Sequence, residues 1–316
     1  MRIYIILFYL FSLLSSVNAA EREVIPMQVT IGKYQLAGEI SKPMVINSSQ
    51  KIPAIIFVVG SGESSYLKNY RTFNQYFFTN PFQENDVAIV NFDKRGIGAS
   101  TGKWYTTTIE QRAEDTYKVA NYIKQLDFID PNKIFVVGHS QGGWIAQYCL
   151  IHYPNTFAGG VSMAGATFSV KKQLINDFQS QYICQEKLDN AIALKKAKKR
   201  VNKIFTVTSL FPVKKNWKQL KKIRKFSIEH QLNQITKPFL YMWASNDQLV
   251  NPQWSMEVLN QQFNQQIPSN ISTYIGNNQN HSFEISAFCP EKKKSEYSEE
   301  SRDFLVSWLN QQFKSK

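Results

Sequence analysis

Apolar and polar positions fall into blocks along this chain, and the blocks predict most of its elements. Gln28–Ile31 and Tyr34–Ile40 alternate residue by residue around Gly32-Lys33, the pattern of an opening hairpin with one buried face. Ala54–Val59 is a continuous apolar run, as expected of a strand covered on both faces in a parallel sheet. Val87–Phe92, Ile134–Val137, Gly159–Met163, Pro238–Trp243 and Ile271–Ile275 predict further strands. Helical spacing appears between them. Ala113, Tyr117, Ala120 and Ile123 recur on one face behind a predicted capping box of Thr107 with Glu110. Gly143–Leu150 opens another helix, and the segment Ser298–Phe313 is amphipathic. Alternating strand and helix implies an α/β fold with a doubly wound, mostly parallel sheet.

The alternation stops between about Thr167 and Ile235, where helical, lysine-rich sequence takes over. We read residues 167–235 as a helical cap inserted into an α/β core of residues 20–166 and 236–316. On a helical wheel, Leu194, Ala197, Val201, Ile204, Phe205 and Thr208 share one face. Lys195, Lys196, Lys198, Lys199, Arg200 and Lys203 share the other. That pattern suits a helix laid apolar side down over the sheet.

The first residues read differently. Met1-Arg2 is a positive start, Ile3–Leu14 a short apolar core, and Val17-Asn18-Ala19 a small-residue cleavage pattern. Together they predict a signal peptide over residues 1–19, cut between Ala19 and Ala20. The apolar core is shorter than the roughly 20 residues of a spanning helix, and no Cys follows the cut to carry a lipid anchor. The expectation is an exported, soluble protein, periplasmic or secreted.

Charge changes the picture of the cap. The chain carries a net +13, and between Lys171 and Lys225 it has 16 Lys/Arg against three acids, so the whole excess lies there. The plain reading is a solvated helix face. Two sharper ones are contact with anionic membrane lipid or a funnel for acidic substrates. No motif beyond charge points to nucleic acid, so no specific nucleic-acid binding is expected. Of the three cysteines, Cys149 falls on a predicted helix as a small packed residue, while Cys184 and Cys289 could pair without their spacing demanding it.

Candidate chemistry centres on Gly138-His139-Ser140-Gln141-Gly142, set between a predicted strand and a predicted helix. In that context G-x-S-x-G is a nucleophile elbow: the turn strains the serine and presents its hydroxyl clear of the sheet. A serine nucleophile needs a base, and the base needs an orienting carboxylate. There are four histidines. His139 stands inside the turn with its side chain expected to point away from the reaction; His152 ends the helix after the elbow, and His230 lies near the end of the cap. His281 follows the last predicted strand, at the sheet edge where α/β sites form, and is the candidate base. Asp247 follows the Pro238–Trp243 strand and completes the chain order Ser, Asp, His. Asp93 and Glu284 are weaker alternatives. The oxyanion would be held by the N–H groups of Gln141 and of Ser61, or less favourably Gly62, in the loop after Val59. No His, Cys or carboxylate cluster has metal-ligand spacing, so neither metal nor organic cofactor is expected.

With these residues placed, the chain resembles the α/β-hydrolase superfamily, and within it bacterial esterase-like and serine-aminopeptidase-like (S33-type) members. The resemblance rests on Gly60-Ser61-Gly62, on Asp93-Lys94-Arg95-Gly96-Ile97-Gly98-Ala99-Ser100, on Gly138–Gly143, on Asp247–Pro252 and on Asn280-His281, in that order. It assigns Asp93 and Arg95 to a structural loop. One departure is Val59-Gly60 where such proteins usually have His-Gly. The implied activity is a serine hydrolase cleaving carboxylic esters through an acyl-enzyme, on a small acyl or aromatic substrate held under an apolar cap. An aminopeptidase-like amide hydrolase uses the same triad but calls for carboxylates that hold a substrate amine. A non-catalytic binding protein of this fold would typically have lost a triad residue.

Overall fold

In the computed structural model, which describes residues 22–46, 51–83, 85–291 and 296–314, the alternating N-terminal segments form β1 (Arg22–Ile31) and β2 (Tyr34–Pro43). They pair antiparallel through a turn at Gly32, whose φ of +56° suits glycine. The expected signal peptide lies outside the described residues. The apolar runs become β3 (Ile52–Val58), β4 (Ala88–Phe92), β5 (Ile129–His139), β6 (Gly159–Met163), β7 (Phe239–Ala244) and β8 (Ile271–Gly276). The strand order is β1-β2-β4-β3-β5-β6-β7-β8, and every neighbouring pair from β4 to β8 is parallel.

Nine α-helices lie among the described residues. Two short ones, α1 (Tyr66–Asn69) and α2 (Arg71–Asn74), follow β3, and α3 (Ile109–Ile123) and α4 (Gln141–His152) flank β5. Between β6 and β7 come α5 (Val170–Glu186), α6 (Asn190–Leu210) and α7 (Lys215–Ile223). The chain closes with α8 (Pro252–Gln262) and α9 (Glu299–Lys314). The sheet is covered on both faces, which explains the continuous apolar runs. Ala54, Ile56 and Val58 of β3 join one core with Ala113 of α3 and Leu150 of α4. Ile55 and Phe57 join the opposite core with Phe73 of α2 and Leu305 of α9. Successive strand residues point to opposite faces, so both sets must be apolar.

The cap on α3 sits one residue later than the sequence suggested. Thr108 Oγ1 accepts from Gln111 N at 3.2 Å, and Gln111 Oε1 accepts from Thr108 N at 3.0 Å. Both Thr107 and Thr108 have an acidic or amide residue three positions on, so spacing alone could not choose. Thr107 is drawn into the preceding turn, its N–H to Trp104 O and its hydroxyl to Lys103 O, which leaves Thr108 to cap.

The apolar stripe expected on α6 does face inward: Ala197, Val201 and Thr208 are buried, Ala193 joins them, and the lysines between them are exposed. Cys184, at the end of α5, is bonded to Cys289 in the loop beyond β8, their Cα atoms 5.2 Å apart. The two are 105 residues apart in sequence, and α5 is held beside Cys289 by the loop after β7, where Asn176 Nδ2 donates to Gln248 O at 3.0 Å. Cys149 is buried and free.

Candidate active site

β5 ends at His139 and α4 begins at Gln141, so Ser140 alone makes the turn between them. Its backbone is at φ 56°, ψ −120°, a conformation that costs a residue with a side chain about 1–3 kcal/mol. Neighbours hold it there: Ser140 N donates to Met163 O and Gly143 N to Ser140 O, both at 2.8 Å. The turn is tight enough that its glycines are obligatory. A Cβ on Gly138 would run into the Gly142 carbonyl, and one on Gly142 into the Val58 carbonyl. Backbone strain and a helix start therefore coincide at the half-buried Ser140.

Asp247 and His281 arrive from the carboxyl ends of β7 and β8, the edge to which β5 also delivers Ser140. His281 Nδ1 lies 2.7 Å from Asp247 Oδ2. The other carboxylate oxygen, Oδ1, accepts from Leu249 N at 2.7 Å and Val250 N at 3.0 Å, which locks the buried carboxylate in place. A carboxylate can only accept, so in the neutral ring Nδ1 is the donor and Nε2 keeps its lone pair. Nε2 is buried and has no hydrogen-bond partner among the described residues. Ser140 and His281 line one cleft, together with Ser61, Tyr70 and Leu249.

The His139 side chain, expected to point away from the reaction, bonds instead to the two loops on either side of Ser140. Its Nε2 is 2.8 Å from the His281 carbonyl oxygen, and its Nδ1 is 2.8 Å from the Tyr70 hydroxyl. The carbonyl can only accept, so Nε2 carries the proton and Nδ1 accepts from Tyr70. The Tyr70 oxygen in turn accepts from Gly60 N at 3.1 Å. Burial, reinforced by the nearby His281, lowers the His139 pKa to about 3, so the ring is neutral at ordinary pH. This chain of hydrogen bonds ties the His281 loop to the loop that carries Ser61.

That second loop is clamped from behind. Lys94 Nζ donates to Gly60 O at 2.8 Å; Arg112 donates through Nη2 to Val59 O at 2.7 Å and through Nη1 to Gly60 O at 3.3 Å. Arg112 Nη1 also donates to Gln141 Oε1 at 2.6 Å, so one guanidinium joins the two segments expected to hold an oxyanion. No cis peptide bond occurs among the described residues. In a trans peptide the N–H points opposite the preceding C=O. With the Gly60 carbonyl turned to Lys94 and Arg112, the Ser61 N–H is directed to the other side. Both cations are buried, and burial pushes the Arg112 pKa down to about 10 and that of Lys94 well below its usual value.

Neither Arg112 nor Tyr70 was singled out from the sequence. A signal for Arg112 was present: it lies on the apolar face of α3 between Ile109 and Ala113, and a buried arginine needs a built partner set. The weaker acid candidates serve the scaffold. Asp93 accepts from Tyr66 N at 2.9 Å and Ser65 Oγ at 3.1 Å, and Arg95 pairs with Asp115. Glu284 accepts from Asn280 Nδ2 at 2.8 Å.

A cavity of about 450 Å³ opens beside Ser140, between the sheet edge and α5, α6 and α7. Ser61, Ser140 and Gln141 line it from the core, and Leu174, Phe178, Ile204, Trp217 and Leu220 from the cap. Asp177 of α5 is the one charged side chain among the described lining residues, its pKa raised by burial.

Residues 52–282 match the family described as serine aminopeptidase, S33, with all five of the segments noted above falling inside that span. The chain belongs to this family of α/β hydrolases. It is a hydrolase by that membership. Two solved structures share its fold. The esterase of Pyrococcus furiosus superposes with a TM-score of 0.61 at 16% identity, covering 92% of each chain. Est1E of Butyrivibrio proteoclasticus, with ferulic acid bound, gives 0.59 at 15% identity over 92% of this chain and 100% of that one. Mouse dipeptidyl peptidase 8 is 26% identical over 152 residues, 46% of this chain. The S33-family chain therefore spans only 16% of that curated relative's length.

Proposed function

We propose that this hydrolase cleaves carboxylic esters with Ser140 as nucleophile, His281 as general base and Asp247 as the carboxylate that orients it. The observation that carries the reading is His281: Nδ1 is held by Asp247, while Nε2 is buried and unpartnered in the cleft it shares with Ser140. Ser140 Oγ attacks the ester carbonyl and its proton passes to His281 Nε2. The tetrahedral oxyanion accepts hydrogen bonds from the N–H groups of Ser61 and Gln141. As it collapses, the alcohol leaves with the proton from His281, and the acyl group stays on Ser140. Water repeats the sequence and frees the acid. The mostly apolar cavity supports an acyl or aromatic substrate portion.

On this reading Arg112 acts through the oxyanion loop. Arg112→Met leaves Val59 O and Gln141 Oε1 without their buried donor and Gly60 O with Lys94 alone. The expected result is a fall in kcat of about 10²-fold, the scale of one lost oxyanion donor, with KM little changed. A variant that folds and keeps the wild-type kcat would remove Arg112 from the machinery.

Asp177 favours a second reading. A single carboxylate in an otherwise uncharged cavity suits a substrate ammonium, and so an aminoacyl amide. The test is a panel of p-nitrophenyl esters of increasing chain length against aminoacyl p-nitroanilides, with wild type and Asp177→Asn. The ester reading expects ester turnover in both proteins and negligible anilide turnover. Efficient anilide hydrolysis that disappears in Asp177→Asn would replace the ester with the amide.

A further inference from the structure

Hydrolysis of a small ester leaves one part of the cap without a use. Where α6 gives way to α7, Leu210, Phe211 and Val213 are 65%, 66% and 75% exposed. Single exposed apolar residues are common, but three large ones within four positions make a contiguous patch at the tip of the cap. Every charged side chain that α7 and the residue before it place beside the patch is basic. Lys214 precedes α7, and Lys218, Lys221 and Lys222 lie exposed along it. None of these four has a carboxylate partner among the described residues; their neighbour Lys215 pairs with Glu63 at 2.8 Å. The opposite side of α7, with Trp217 and Leu220, lines the cavity at Ser140. The helix is thus a wall, apolar toward the cavity and basic toward solvent.

We propose that the α6–α7 tip docks the protein on an anionic lipid surface. Leu210, Phe211 and Val213 enter the boundary between headgroups and acyl chains, and Lys214, Lys218, Lys221 and Lys222 meet the lipid phosphates. Charge complementarity selects an anionic partner, and the apolar patch selects one with an apolar layer directly beneath its charges. A bilayer has both; a nucleic acid or an acidic polypeptide supplies the charge without the layer. Among the described residues no helix is long and apolar enough to cross a membrane, so the contact is peripheral. An apolar insertion and a polybasic patch are the two signals whose combination gives firm surface binding. The proposal rests on the outer surface of the cap and is independent of the bond that the site cleaves.

The test is co-sedimentation of the full chain carrying Ser140→Ala, so that no lipid is consumed, with phosphatidylcholine vesicles that contain or lack phosphatidylglycerol. Binding is expected only with phosphatidylglycerol, weakening as salt rises. Replacing Lys218, Lys221 and Lys222 by Gln should lower the partition by roughly 100-fold, about fivefold for each lysine. Leu210→Ser with Phe211→Ser should lower it by about tenfold or more. Circular dichroism and thermal melting, with the substitutions also made in an active background and labelled with a fluorophosphonate, show whether each variant is folded. Folded protein that ignores phosphatidylglycerol vesicles at low salt would overturn the proposal. So would full binding by the Leu210/Phe211 variant, which would leave a charge effect without insertion. A dimer in solution abolished by that same variant would mean that a second copy covers the patch, and would overturn it as well.

Discussion

Ser140→Ala is expected to lower kcat by about 10⁶-fold and to abolish the adduct that a fluorophosphonate forms with the wild-type protein. The size of the effect follows from the arrangement around the residue. Ser140 is held at a strained backbone angle by Met163 O and by the glycines on either side, and no other hydroxyl occupies the turn. Ser61, the other serine lining both the cleft and the cavity, is expected to contribute its N–H and not its hydroxyl. Alanine removes the nucleophile and keeps the turn, so the variant should melt close to wild type, with some relief of strain. Mass mapping of the labelled peptide identifies the modified residue directly. An adduct on a different serine, or turnover that survives in Ser140→Ala, would sink the assignment.

The second large effect is expected at Asp247. In Asp247→Asn the amide group has to satisfy two sides at once. Leu249 N and Val250 N require an oxygen where Oδ1 now sits, so the amide NH₂ is directed toward His281 Nδ1. His281 Nδ1 must then accept, and its proton moves to Nε2, where a lone pair is needed to take the Ser140 proton. The ring keeps its place but holds the wrong tautomer, and kcat should drop by about 10⁴-fold with little change in KM. Steady-state kinetics on a p-nitrophenyl ester, beside a thermal melt that shows a folded protein, gives the answer. Activity within tenfold of wild type would take Asp247 out of the role and reopen the choice of acid.

Much of this is legible in the sequence. The buried strands announce themselves because a parallel sheet covered on both faces is apolar at nearly every position, Asn91 of β4 and Ser162 of β6 being buried exceptions, and the elbow because its glycines have no substitute. His281 and Asp247 could be chosen because they follow strands in the required order, and the structure does place them 2.7 Å apart. Two overlapping spacings offer α3 equally good capping boxes, and the contact of Thr107 with the Trp104 turn leaves Thr108 to cap. The partners of His139 are not legible in the sequence, because Tyr70 and His281 are 69 and 142 positions away.

What the sequence determined by itself are the properties set by local rules: the period of each apolar block, the strained turn at Ser140, the order of the candidate residues and the location of the positive charge. These follow from backbone sterics and side-chain polarity within a few residues. The tertiary structure alone decided how distant groups meet. It brought Cys184 to Cys289, placed Arg112 behind both Gly60 and Gln141, turned Asp177 into the cavity, and left Leu210, Phe211 and Val213 in water. Contacts of that kind depend on how the cap helices and sheet edges pack, and no spacing along the chain encodes the distance between residues a hundred positions apart.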